Sequence, residues 1–147
     1  MKFNTRIRYG IRTMIEIAMA DQEKGIYQKD IAMNQDISNK YLDHIILPLR
    51  TAGLIRKISG KRSGYRLGRD VADINMLDIY LAFEPDFSII DCLADNISCK
   101  RINSCAAHSF WSNLNSVMKE YFESVSLARL RDKSMNYERV EQNTEYK

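Results

Sequence analysis

The stretch ISNKYLDHIILPLRTAGLIRKISGKRSGYRL, residues 37–67, decides how this chain folds. Ser38 is a good N-cap for a helix that carries Tyr41, Leu42, Ile45, Ile46 and Leu49 at helical spacing. Pro48 lies inside that pattern; without an amide proton it predicts a kink or an early end to the helix. Gly53 is placed to terminate it. Two β-like runs follow, Leu54 to Ile58 and Tyr65 to Leu67, around a six-residue loop with two glycines. The pattern predicts a hairpin whose tip carries Lys61 and Arg62.

Upstream, Ile7, Ile11, Met14, Ile15 and Ala18 recur on one helical face, with Asn4 or Thr5 as cap. Arg6, Arg8 and Arg12 fall mostly off that face. After a polar break at Asp21 to Gly25, a short helix spans Gln28 to Met33, and Asn34-Gln35-Asp36 makes a turn into the helix of the opening stretch. Two short helices joined by a tight polar turn frame a helix-turn-helix, and a basic hairpin directly after it is the wing of a winged helix. The expected fold is mainly α with a small β-hairpin: a winged helix-turn-helix head plus a long C-terminal dimerisation helix. Residues 1–69 hold 14 Lys/Arg against 6 Asp/Glu, a balance of +8, whereas residues 70–147 hold 8 against 13, or −5. A basic first half points to a polyanionic partner, double-stranded DNA. The major-groove candidates are Asn39, Lys40, Tyr41, Asp43 and His44, and Gln28 and Ser38 are further DNA-binding candidates. Lys61 and Arg62 are candidates for wing contacts, and Arg6, Arg56 and Lys57 for phosphates.

Downstream, Asn75 and Asp78 form a reciprocal cap on a helix carrying Met76, Leu77, Ile79, Tyr80 and Phe83, stopped by Pro85. Then comes CLADNISCKRINSCAAH, residues 92–108, with all three cysteines of the chain and one of its two histidines. Three thiols in a polar loop are poor core material, and beside an imidazole they suit a metal ion, an iron–sulfur cluster or a thiol switch. Zinc fits less well, because the gaps between the cysteines are wider than in a zinc knuckle. From about Ser109 a helix carries Trp111, Leu114, Met118, Tyr121 and Val125 at the 3-4 spacing of a coiled-coil seam, widened by Phe110, Val117 and Phe122. Such a stripe is broader than one domain needs, and a second copy in a homodimer is the economical partner. The expected organisation is a DNA-binding domain over 1–84, a cysteine-containing sensor loop over 85–108, a dimerisation helix and short terminal helix over 109–131, and a polar, disordered tail over 132–147.

No apolar run is long enough for a membrane span, and no apolar signal core opens the chain, so a cytoplasmic protein with no membrane partner is expected. In that compartment clustered cysteines bind metals or react more often than they form disulfides. No catalytic residues are assigned: Cys105 and His108 lack an orienting Asn or Asp and an oxyanion motif, so the chain reads as no enzyme.

Together these parts resemble the Rrf2 family of bacterial transcriptional regulators over about residues 1–131. The resemblance rests on Arg8 to Arg12, Ile37 to Leu42, Leu49 to Leu54, the wing run Gly60 to Leu67, and Ser126 to Leu130. It is greatest to the branch of iron–sulfur regulators that controls cluster assembly. That resemblance implies Cys92, Cys99, Cys105 and His108 as ligands of a cluster, a [2Fe–2S] one. A branch that senses nitric oxide takes a carboxylate from the partner's first helix, where this chain has Arg8. Two departures stand out. Cys92 and Cys99 are one residue further apart than the family's first two cysteines. Ser59 and Ser63 occupy wing positions where the family commonly has Arg and Gly. The implied mechanism is a homodimer on a near-palindromic operator with half-sites about one helical turn, ~34 Å, apart or a multiple of it. Its alternative is a cluster-free regulator of the same fold that responds to thiol oxidation, a small metabolite or a protein partner.

Overall fold

The structure is a computed structural model and describes residues 3–60, 64–95, 97 and 99–145. The wing tip, Lys61 to Ser63, lies outside the described residues. Six helices and one hairpin follow in order: α1 (Thr5–Met19), α2 (Gln28–Asn34), α3 (Asn39–Thr51), β1 (Ile55–Lys57), β2 (Tyr65–Leu67), α4 (Met76–Leu81), α5 (Ala106–Ser124) and α6 (Leu127–Glu145). Single 3-10 turns occur at Val71–Asp73 and Asp91–Leu93. Among the described residues no helix is long and apolar enough to cross a membrane.

The caps read from sequence are present. The Asn4 side chain accepts from the Ile7 amide at 2.9 Å, and Ser38 Oγ accepts from the Tyr41 amide at 3.1 Å. Asn75 and Asp78 exchange both bonds of a capping box. Gly53, at φ +72°, ends α3, a conformation that favours glycine. Of the two outcomes expected at Pro48, a kink or an early end, the early end does not occur: α3 runs through it to Thr51. The missing amide leaves only the carbonyl of exposed His44 without its partner. Meanwhile Leu42, Ile45, Ile46 and Leu49 hold the opposite face in the core.

Around α1 one core gathers Met14 and Ile17, Ile31 of α2, the four apolar residues of α3, Leu54, Ile55 and Tyr65 of the hairpin, and Ile74, Ile79 and Phe83 around α4. Strands β1 and β2 pair antiparallel, with Arg56 opposite Arg66. Ile26 adds a one-residue third strand by exchanging amide–carbonyl bonds with Tyr65 at 3.0 and 2.8 Å. The turn between α5 and α6 is sewn to the head: the Met76 amide donates to the Val125 carbonyl at 3.0 Å, and the Leu127 amide to the Ile74 carbonyl at 2.7 Å.

The C-terminal expectation needs correction. In place of a short terminal helix and a disordered tail from 132, α6 continues to Glu145. Leu127 is fully buried and Leu130 packs against the core, and Ser134 and Tyr137 continue that stripe along a groove beside Arg12, Ile15 and Met19 of α1. The stripe is too sparse to register as amphipathic in isolation, so packing on α1 stabilises the helix.

Candidate nucleic-acid interface and cysteine segment

Helices α2 and α3 form the helix-turn-helix, and side chains brace it from several sides. Arg12 Nε donates to Gln35 Oε1 at 2.7 Å and Gln35 Nε2 donates to Glu16 Oε2 at 2.8 Å, tying the turn to α1. Asp36 in that turn takes φ +53°. Gln28 Nε2 donates to Asp43 Oδ1 at 2.6 Å, and the Tyr65 hydroxyl donates to Gln28 Oε1 at 3.4 Å, linking α2, α3 and the wing.

The candidate DNA residues separate by what already holds them. Asn39, Lys40, Asp43 and His44 are exposed along the N-terminal half of α3, and Arg56 and Lys57 are exposed on β1. Ser38 is occupied as the cap. Tyr41 is half-buried, its ring set edge-on to Tyr9 at 5.7 Å. The guanidinium of Arg6 lies over the Phe83 ring at 5.7 Å, on the exposed flank of α1. Lys61 and Arg62 lie outside the described residues. Sequence reasoning passed over Met33 and Leu47, which are 74% and 64% exposed beside the helix-turn-helix.

The cysteine segment leaves the head from an aromatic cluster. Tyr80 of α4, Phe87, Phe122 of α5 and Phe3 stack on one another, with Tyr80 to Phe87 at 4.7 Å and Phe87 to Phe122 at 5.0 Å. Burial raises the Tyr80 phenol above its usual range, and Glu84 and Asp86 add to the shift. One residue, missed in the sequence, pins the segment: Asn115 of α5 accepts from the Ile89 amide at 3.0 Å and donates to the Phe87 carbonyl at 3.0 Å. Its signal was a lone amide on the inward stripe of an otherwise apolar helix face.

Cys92 lies in the 3-10 turn, Cys105 is the N-cap of α5, and His108 sits in the first turn of that helix, which starts three residues before the expected Ser109. All three cysteines are free and half-buried, as is His108. Three thiols and an imidazole are chemically suited to an iron–sulfur cluster. They do not converge here: among the described residues no three His, Cys, Asp or Glu side chains are gathered to hold a metal.

Helix α5 divides its apolar residues differently from the expected seam. Met118 and Phe122 turn toward α4 and the aromatic cluster, and Val125 is buried at the α5–α6 turn. Phe110, Val117 and Tyr121 are instead 60%, 62% and 66% exposed, with Leu114 at the border. The outward stripe therefore runs 110-114-117-121. The head claims the other side, which shifts the free face by part of a turn.

Comparison with known proteins agrees with this arrangement. The sequence profile of the Rrf2 family, described as iron-dependent transcriptional regulators, matches residues 3–133. Protein rrf2 of Nitratidesulfovibrio vulgaris is 37% identical over 136 residues, covering 92% of this chain and 91% of that one. Among solved structures, the global cysteine regulator CymR of B. subtilis superposes with a TM-score of 0.74 at 32% identity, over 90% of this chain and 98% of that chain. IscR of T. potens superposes with a TM-score of 0.72 at 28% identity, over 91% of this chain and 88% of that one.

Proposed function

The chain belongs to the Rrf2 family of transcriptional regulators, and from that premise we propose a homodimer whose operator binding is set by an iron–sulfur cluster, a [2Fe–2S] one, held by Cys92, Cys99, Cys105 and His108. The carrying observation is the placement of three free thiols in the segment that joins the head to α5, with His108 in the first turn of that helix. Two heads read a near-palindromic site through Asn39, Lys40, Asp43 and His44. Arg6, Arg56 and Lys57 bind the backbone, and the wing tip, Lys61 and Arg62, enters the adjacent groove. The outward stripe of α5 pairs with its copy.

Thiolates and a neutral imidazole match the charge and softness of a ferric cluster. Gathering the four ligands requires residues 92–105 to rearrange. That change reaches the head through Asn115 and the Phe87–Phe122–Tyr80 cluster. The bound group shifts the balance between head placements only by its differential affinity for them.

Protein purified without oxygen is expected to be coloured and to carry iron, and Cys92→Ser, Cys99→Ser and Cys105→Ser each lose the colour. A triple Cys→Ser variant that keeps wild-type operator affinity, under conditions that preserve the cluster, would exclude cluster control. A cluster-free reading is favoured by one observation, the failure of the four donors to converge. On that reading the thiols respond to oxidation, or the same fold responds to a metabolite or protein partner. Colourless, iron-free protein that resists reconstitution, with operator affinity that changes on thiol oxidation, selects it.

A further inference from the structure

The outer face of the wing holds a second concentration of positive charge. Arg56 and Arg66 stand directly opposite each other across β1 and β2, where like charges repel. Among the described residues neither has a carboxylate partner. Both line a cavity of about 400 Å³ between the hairpin and α6, together with Arg69 and Arg131. Arg69 reaches Asp78 at 3.0 Å, and Arg131 donates to its neighbour Asp132 through Nε at 2.9 Å and a terminal nitrogen at 2.8 Å. Asp70 is the one acidic lining residue, and its Oδ1 already accepts from the Ala72 amide at 2.8 Å. Gln22 is also engaged: it donates to the Ile17 and Ala20 carbonyls and accepts from the Leu67 amide. Four guanidinium groups therefore line one open space in which Asp70 is the acidic lining residue, and two of them, Arg69 and Arg131, already hold Asp78 and Asp132.

We propose that this cavity binds a phosphoryl group, with Arg56 and Arg66, which hold no carboxylate among the described residues, as principal ligands and Arg131 beside them. The guanidinium fork fits phosphate oxygens two at a time, and a dianion removes the Arg56–Arg66 repulsion. Arg66 belongs to the wing and Arg131 to α6, so a bound phosphoryl group ties the wing to the helix that follows the α5 stripe. The proposal is independent of the cysteines. The group comes either from the DNA backbone or from a soluble phosphorylated ligand.

Inorganic phosphate is titrated into the full chain at constant ionic strength, with chloride as balance. Above the dissociation constant Tm is expected to rise by roughly 3–6 °C per tenfold phosphate. The rise shrinks in Arg66→Gln and vanishes in the Arg56→Gln/Arg66→Gln double variant. Duplex DNA titrated against salt separates the sources. A backbone phosphate makes Arg66→Gln reduce the slope of log affinity against log salt by about one. A soluble ligand leaves the duplex affinity unchanged while the phosphate response is lost. Should the double variant fail to fold, Arg66→Lys keeps the charge without the fork and is expected to weaken the response. The proposal is overturned if these variants respond to phosphate like the wild type, or if the wild type shows no response and Arg66→Gln leaves the salt slope unchanged.

Discussion

Gly10 shows how much a single position can constrain this fold. A Cβ there would clash with the ring of Phe83, which follows α4 and is buried in the core, so the ring or the packing around it must shift. Gly10→Ala is expected to destabilise the chain by about 1–3 kcal/mol, read as a lower urea midpoint. Thr13, fully buried on the same helix, points the other way. Its Oγ1 has no hydrogen-bond partner among the described residues. Thr13→Val keeps the shape and removes the unpaired hydroxyl, so stability is expected to hold or to rise by about 1 kcal/mol. Tyr80 adds a pH dependence. Its pKa is raised above 10.0 in the folded chain, chiefly by burial. Stability from the neutral phenol is therefore complete below that value and is lost as pH rises through the folded pKa. Tyr80→Phe is expected to flatten that alkaline loss, measured by denaturation at a series of pH values.

At the scale of elements, α5 serves two masters and its two faces can be tested apart. Asn115→Ala leaves the Ile89 amide and the Phe87 carbonyl without partners, at a cost of about 1–3 kcal/mol. It should loosen the start of the cysteine segment, seen as faster amide exchange at Ile89. Val117→Asp places a charge on the outward stripe, at a position 62% exposed. Sedimentation is expected to show a weakened dimer, with helicity and Tm of the isolated chain little changed. A variant that sediments as the wild type would remove this stripe from the proposed interface.

At the scale of the molecule, charge is segregated: the head side carries +8 and the remainder −5. The cationic part holds α3 and the β1–β2 hairpin, while the acidic part carries the cysteine segment and α5. This division favours a strongly salt-dependent DNA affinity. The two parts are nevertheless not independent bodies, because the Ile74–Leu127 and Met76–Val125 backbone bonds sew the α5–α6 turn into the head core. The cysteine segment is thus joined to a head held to the C-terminal part at two points, the aromatic cluster and this seam.

What the sequence determined by itself was local. The caps at Asn4, Ser38 and Asn75, the 3.6-residue periodicity of α1 and α3, and the glycine-bounded hairpin depend on neighbours within a few residues, so they were legible without the fold. The three thiols and His108 were legible as a donor set for the same reason. Whether they meet is a long-range matter, and this structure leaves them apart. Pro48 does not end α3, because the loss of one hydrogen bond is small against four buried side chains on the facing side of the helix. Only tertiary packing decided which face of α5 remained free, because α4 and the aromatic cluster had first claim on Met118 and Phe122. Only it extended α6 to Glu145, since a sparse stripe becomes a stable helix when α1 lies beneath it. And only it brought Arg131 to Arg66, 65 positions apart in the sequence, because no short-range pattern reports where two distant arginines come to face the same space.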